Sequence, residues 1–398
     1  MLRLMGDAEM KLLYKSIPAL VAAVWLCAIA APLAQAQSTT AADLYRSAGQ
    51  SLLPTTQPID PLHLPLDPAA AALVKSAGDA LDLFDVASAM PFGAWGLNPS
   101  DAFSASSIPP HLAELVDRVV LRARLRFSQG QLQPAIDDLM NVLRLARRLS
   151  ITPSLARQRL QNDLTRQAAA GIAQLLPALS PAQAQAISAR LGELPSPADP
   201  AEALSADAQA YLWYHRCLYE DADFANLVER RPAMTQALIG TLWKPADIDD
   251  LFDNPVSFDL VMLDAERAFD DLIAALQQSP QRRDAELATA LGRVNNAHPL
   301  VRNAGTLALL AVQQSNTQKT LNDLLTTALK IAAEAPRPLT DDAIIKLADP
   351  YKVIPTPNGL ELVSPADAAL KLRLGPSPTP TQPSTFPATN PNRVDEGG

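Results

Sequence analysis

The chain has 398 residues, 48% of them hydrophobic, enough to build one large or two ordinary cores. Its 33 basic residues stand against 42 acidic ones, a net charge of −9 that argues against nucleic acid as a partner. Only two cysteines occur, Cys27 and Cys217.

From Met10 onward, Lys11 and Lys15 precede an apolar run, Ile17–Ala31, that closes in Pro32-Leu33-Ala34-Gln35-Ala36. The run falls short of the roughly 20 residues that span a bilayer. Ala34 and Ala36 place small side chains at −3 and −1 of a signal-peptidase site. Residues 1–36 are therefore expected to be a signal peptide cut after Ala36, leaving no membrane anchor and a periplasmic or extracellular product. Trp25 and Leu26 are too bulky for lipoprotein processing at Cys27, so Cys217 would be the lone thiol of the mature chain, a buried small hydrophobe with no disulfide partner.

Residues 37–110 read as an irregular N-terminal region. A short helix is expected around Ala41–Gly49 and another over about Ala69–Ala89, with Pro54, Pro58, Pro61, Pro65 and Pro68 between them. From His111 the pattern sharpens. Leu112, Leu115, Val116, Val119, Ala123 and Phe127 recur on one helical stripe, which stops at Ser128-Gln129-Gly130. Pro134 sits in the first turn of a second helix whose Ile136, Leu139, Met140, Leu143 and Ala146 face inward, so an antiparallel helical hairpin follows. A third helix is expected over Ser154–Leu176, and a fourth opens at Ser180, with Gln183 placed to complete a capping box. Residues 111–195 thus form a helical array.

Over 196–345 the helical signal covers Ala201–Glu220, Phe258–Leu276, Asp284–Val294 and Leu300 to about Ala333, with Pro232 and Pro255 as breaks. Within 346–374, Tyr351–Ile354 and Leu360–Val363 flank Asn358-Gly359, a turn signal that predicts a small β-hairpin. The Pro/Thr-rich run over 375–398 suits an extended, disordered tail. The class is mostly all-α, a multi-helix array or bundle.

No zinc-protease, nucleophile-elbow, phosphate-loop or paired-cysteine pattern occurs, so no catalytic, cofactor-binding or metal residue is assigned. The carboxylates of Asp247–Asp253 lack the glycine and closing glutamate of a calcium loop, and suit a solvated helix start. Tyr211, Trp213 and His215, with Tyr214, Cys217, Tyr219 and Phe224 beside them, suit either helix packing in a core or an aromatic pocket or interface.

Charge is divided along the chain. Between 118 and 166, Arg118, Arg122, Arg124, Arg126, Arg144, Arg147, Arg148, Arg157, Arg159 and Arg166 meet only Asp137, Asp138 and Asp163, and no lysine occurs. Over 201–275, fifteen acidic residues meet Arg216, Arg230, Arg231, Lys244 and Arg267. These two stretches either face one another or are solvated; otherwise Arg122, Arg126, Arg144 and Arg147 offer a face to a carboxylate- or phosphate-bearing partner.

The hairpin sequence Leu121-Arg122-Ala123-Arg124-Leu125, with Gly130, Ala135, Asp137-Asp138-Leu139 and Leu143-Arg144-Leu145-Ala146-Arg147, resembles one tetratricopeptide unit. The Trp, Tyr and closing Pro of that repeat are absent, and no second copy follows at its period. With Trp95-Gly96-Leu97-Asn98 and Ile108-Pro109-Pro110-His111-Leu112, residues 40–195 resemble a group of uncharacterised exported helical proteins of planctomycete bacteria. Ala348-Asp349-Pro350-Tyr351 and Asn358–Ser364 are similar to a degraded C-terminal segment of type II secretion pseudopilins. These resemblances imply an envelope protein and carry no catalytic residues. The expected function is a protein-interaction or scaffold module that binds envelope or secreted proteins. The alternatives are an enzyme with a pocket near His215, or an accessory factor of a pseudopilin-like secretion system.

Overall fold

A computed structural model describes residues 40–52, 59–91, 95, 111–151, 153–220, 255–334, 341–356 and 359–374. Residues 1–39, which include the expected signal peptide, the Asp247–Asp253 cluster, Phe224, the Pro357-Asn358 pair and the Pro/Thr-rich run over 375–398 lie outside those residues.

The described residues form twelve α-helices and one small antiparallel sheet. Helix α1 (Ala41–Ser51) opens on a reciprocal capping box between Thr40 and Asp43. The single helix expected over Ala69–Ala89 is instead two, α2 (Pro68–Ser76) and α3 (Gly78–Ala89). Ala77 leaves the helical region there (φ −97°, ψ 11°), next to Gly78, whose backbone freedom weakens a helix at that step.

Helices α4 (Leu112–Ser128) and α5 (Leu132–Leu149) form the expected hairpin. Gly130 adopts φ +77°; its N–H donates to Phe127 O, and Gln131 N–H to Arg126 O. That pair of bonds is the Schellman closure, which satisfies two carbonyls the helix end would otherwise leave open. All five residues expected inward on α5 are buried. Helix α6 (Leu155–Leu175) is capped by Ser154, and α7 (Pro181–Gly192) by the Ser180–Gln183 box. Gly171 of α6 lets Leu139 of α5 approach closely: a Cβ there would sit 2.6 Å from Leu139 Cδ2.

Helices α8 (Pro200–Glu220), α9 (Pro255–Leu276), α10 (Pro280–Val294) and α11 (Pro299–Glu334) follow. Three of them begin up to a turn before their expected starts, because Pro255, Pro280 and Pro299 open them; proline's fixed φ and missing N–H suit a first helical turn. With 36 residues, α11 runs about 54 Å. A short helix, α12 (Asp341–Ala348), leads into the C-terminal sheet. That sheet has three strands, β1 (Lys352–Thr356), β2 (Gly359–Val363) and β3 (Lys371–Leu374), in the order β1-β2-β3. The expected hairpin is its first part, in the register Lys352↔Val363 to Thr356↔Gly359. The unforeseen third strand pairs Leu372 with Leu362 and seats Leu372 and Leu374 in the interior.

Apolar burial divides into two clusters. The first is built by α1, α3–α7, the C-terminal half of α11, α12 and the sheet, around Tyr45, Phe84, Leu115, Ile136, Leu143 and Leu325. The second is built by α8, α9, α10 and the N-terminal half of α11, around Leu204, Tyr214, Phe269, Leu272 and Leu300. Among the described residues, no helix is long and apolar enough to cross a membrane.

Candidate functional site

The α4–α5 hairpin turns most of its arginines inward. Arg122 forms a fork with Asp85 of α3, Nη1 and Nη2 donating at 2.9 and 2.7 Å, and reaches Asp138 of α5 through Nε and Nη2 at 3.2 and 2.6 Å. Burial acts to lower the Arg122 pKa, but the Asp85 hydrogen bond and the Asp138 charge outweigh it and hold it above its ordinary value. Arg126 donates to the same Asp138 oxygen at 2.7 Å, with about a third of its side chain exposed.

Other arginines grip the N-terminal region through its backbone. Arg124 donates to Pro61 O and Leu64 O at 2.6 and 2.9 Å. Arg148 donates to Ala87 O, Ser88 O and Met90 O at 2.8, 3.2 and 2.6 Å, and to the Tyr45 hydroxyl at 2.9 Å. These carbonyls end α3, where a helix carries partial negative charge and welcomes a cation. Trp95 Nε1 donates to Arg148 O at 3.0 Å, tying the residue from both ends. Arg144 bonds Asn141 Oδ1 at 2.6 Å and leans on Ser88 O at 3.4 Å. Arg147 is buried, and burial alone pushes its pKa down to about 10.

The arginine-rich face expected from composition is therefore a correction to make. Of the four residues assigned to it, Arg122 and Arg147 are enclosed, and Arg126 and Arg144 reach solvent in part. Among the described residues, the hairpin arginines meet mostly groups outside the acidic stretch. Asp85, Asp138 and the carbonyls of residues 61–90 bond the hairpin arginines, and Asp207 of α8, near Arg157, belongs to the acidic stretch. Asp207 accepts the Leu155 N–H at 2.6 Å, and burial pushes its carboxyl up to about 7. Asp117, bonded by Gln167 at 3.0 Å, is likewise pushed up by burial, to about 6. Sequence reasoning missed Asp85, Asp117 and Asp207, because each meets its partner across helices distant in the chain.

The aromatic group on α8 separates into a buried and an exposed side. Tyr211 donates to Leu300 O at 3.1 Å and accepts from Asn303 Nδ2 at 3.2 Å, which fastens α8 to the start of α11. His215 is buried; its Nδ1 donates to Tyr211 O at 2.8 Å, and its ring lies 4.2 Å from that of Tyr211. Burial drives its pKa down to about 4, so the imidazole is neutral near pH 7. Tyr211 and His215 thus belong to the wall of the second cluster. Trp213, 36% exposed, faces outward.

On α9, which packs against α8, Leu260 (59%) and Leu263 (41%) are exposed among Asp259, Asp264, Glu266, Asp270 and Asp271, all exposed, with Arg267 as the helix's one basic residue. Arg216 and Glu266, 3.8 Å apart, bridge α8 and α9 at this surface. No group of three or more metal-ligating side chains converges among the described residues. No family model matches the chain, and no curated protein or solved structure matches it.

Proposed function

We propose that the mature chain is an interaction or scaffold protein of the cell envelope, exported by a leader cut after Ala36. On this reading it docks a basic, apolar-anchored protein segment on the α8–α9 face. One observation carries the reading: Leu260 and Leu263 of α9 are 59% and 41% exposed among five exposed carboxylates, three of them paired with Arg216, Arg267 and Arg293, and Trp213 of the neighbouring α8 is 36% exposed. Single exposed leucines are ordinary, whereas an aromatic and two leucines on neighbouring helices inside a mainly acidic rim have the composition of a binding surface. The hairpin arginines, largely engaged within the first cluster, are not part of that face.

The carboxylates select the partner's charge, and the apolar side chains supply the anchor. A lysine-rich amphipathic helical peptide should therefore bind, its acidic counterpart should not, and affinity should fall as salt rises. Sequencing the N-terminus of the envelope-fraction protein should read Gln37 first. A photo-crosslinker at position 260 should capture envelope proteins in cells, and Leu263→Lys with Trp213→Ala should abolish both capture and peptide binding. An uncleaved cytoplasmic chain would refute export. Binding or capture indifferent to those substitutions would refute the face.

A further inference from the structure

Among the described residues, the two apolar clusters stay separate where they meet. Along α11, the second cluster ends at Ala311 and the first begins at Leu321. Between them lie Gln313, Gln314, Ser315, Asn316, Thr317, Gln318, Lys319 and Thr320, eight polar residues in the middle of a continuous helix. Helix α6 changes allegiance at the same level: Leu155 packs on the second cluster, Leu164 lies in the first, and Gln158, Gln161 and Asn162 between them are buried.

Among the described residues, the bonds between α6 and α11 at this level form a thin polar seam. Asn162 Nδ2 donates to Gln314 O and Oε1 at 3.0 and 2.7 Å. Thr165 and Gln318 meet at 3.3–3.4 Å, and Gln318 reaches Asn322 Oδ1 at 3.4 Å, at the long end of hydrogen-bond range. Gln158 Oε1, Gln161 Nε2 and Asn162 Oδ1 are buried without a hydrogen-bond partner in the protein. From α8, Asp207 adds its bond to Leu155 N–H.

Apolar contact resists separation in proportion to area, whereas a buried polar atom lacking a protein partner gains when water reaches it. A boundary of this composition is where a structure opens locally before it unfolds as a whole. We infer that the seam is a joint: α8, α9, α10 and the N-terminal third of α11 form a unit that opens and closes independently of the α1–α7 core. Helix α11 carries the junction within Gln313–Thr320. The Trp213/Leu260/Leu263 face lies entirely on the smaller unit, so its placement against the α4–α5 hairpin changes when the joint opens. The inference stands or falls without the docking proposal.

Hydrogen exchange of the full mature chain, followed by mass spectrometry in graded guanidinium, tests it. Peptides of α8–α10 should share one opening midpoint, those of α3–α5 another, and the step in protection along α11 should fall within Gln313–Thr320. Gln158→Leu with Gln161→Leu makes the seam apolar and should merge the two midpoints. A single midpoint throughout the unsubstituted protein would overturn the joint, as would two unchanged midpoints in the folded variant. If that variant does not fold, Thr165→Val with Gln318→Leu removes one bonded pair together. It should at least halve the gap between midpoints, and an unchanged gap overturns the inference.

Discussion

Arg122→Met removes the guanidinium that joins Asp85 to Asp138 while keeping an unbranched apolar stem. The Asp138 side chain is 3% exposed and that of Arg122 is 9% exposed, so the pair is screened by little water. Removing one member of a buried ion pair costs about 3–5 kcal/mol when the other is left wholly uncompensated. Arg126 remains on Asp138 at 2.7 Å but is 31% exposed, so it offsets part of that cost. The Asp85 contact adds little, because that carboxylate is 41% exposed and returns to water. The net loss should be about 2–3 kcal/mol, or about 30- to 150-fold in the opening constant. Amide exchange in α4 and α5 under urea reads it on the cluster that contains the pair. Arg122→Met with Asp138→Leu should recover at least half of the loss, since no charge is then stranded. A single-variant loss below about 1 kcal/mol, or a double variant no more stable than the single, would refute the assignment of Arg122 to the interior.

Asp207 makes stability depend on pH in a defined direction. Burial raises its folded pKa to about 7, above an unfolded value of about 3.9, so the stabilisation is complete below the unfolded value and is lost as pH rises through about 7. The melting temperature should therefore rise from pH 8 to pH 5, and Asp207→Asn should flatten that slope and be the more stable form at pH 8; an unaltered slope would count against it. Gly130→Ala, at φ +77°, should cost about 1 kcal/mol in a urea titration, and a neutral result would mean the hairpin closes differently. Gly171→Ala should lose stability, because the added carbon meets Leu139 at 2.6 Å and overpacking by about 1–3 kcal/mol exceeds the helix-propensity gain of about 1. In a Leu139→Ala background the same change should become stabilising, and failure of the sign to reverse would place the contact elsewhere.

The parts of the fold legible in the sequence are those that local chemistry determines. The α4 and α5 stripes, the Gly130 closure and the caps at Ser154 and Ser180 all depend on residues within a turn or two of each other, and all appear in the structure. The break at Ala77-Gly78 was hidden because apolar spacing continues across it, and one glycine weakens a helix without ending it. Strand β3 alternates Lys-Leu-Arg-Leu, a readable pattern, but a four-residue strand is specified by pairing with Leu360–Val363 rather than by its own composition. Helix α11 shows the limit most clearly. Periodicity reports that residues 300–333 are helical, yet nothing in it says that the helix changes partners at Gln313–Thr320.

Charge counting failed at the candidate site for a related reason: a sum carries sign but not address. A better signal lay in which cation the chain uses, since residues 118–166 contain ten arginines and no lysine. A solvated basic surface tolerates either residue, because each needs only water around its charge. A buried cation has to have its donors met, and a planar guanidinium can divide five N–H groups among several fixed acceptors. Arg148 does this with three carbonyls and a hydroxyl, and Arg122 with two carboxylates. An ammonium of three donors, strongly hydrated, would give up more water for fewer bonds at either position. At Arg122 and Arg148 the choice of arginine is thus the mark of a positive charge spent inside the fold, whereas Arg159 and Arg166 of the same stretch are exposed. By the same reasoning, the exposed carboxylates of α9 are only partly spent within the fold: Glu266, Asp264 and Asp271 pair with Arg216, Arg267 and Arg293 at the surface, where water screens each pair.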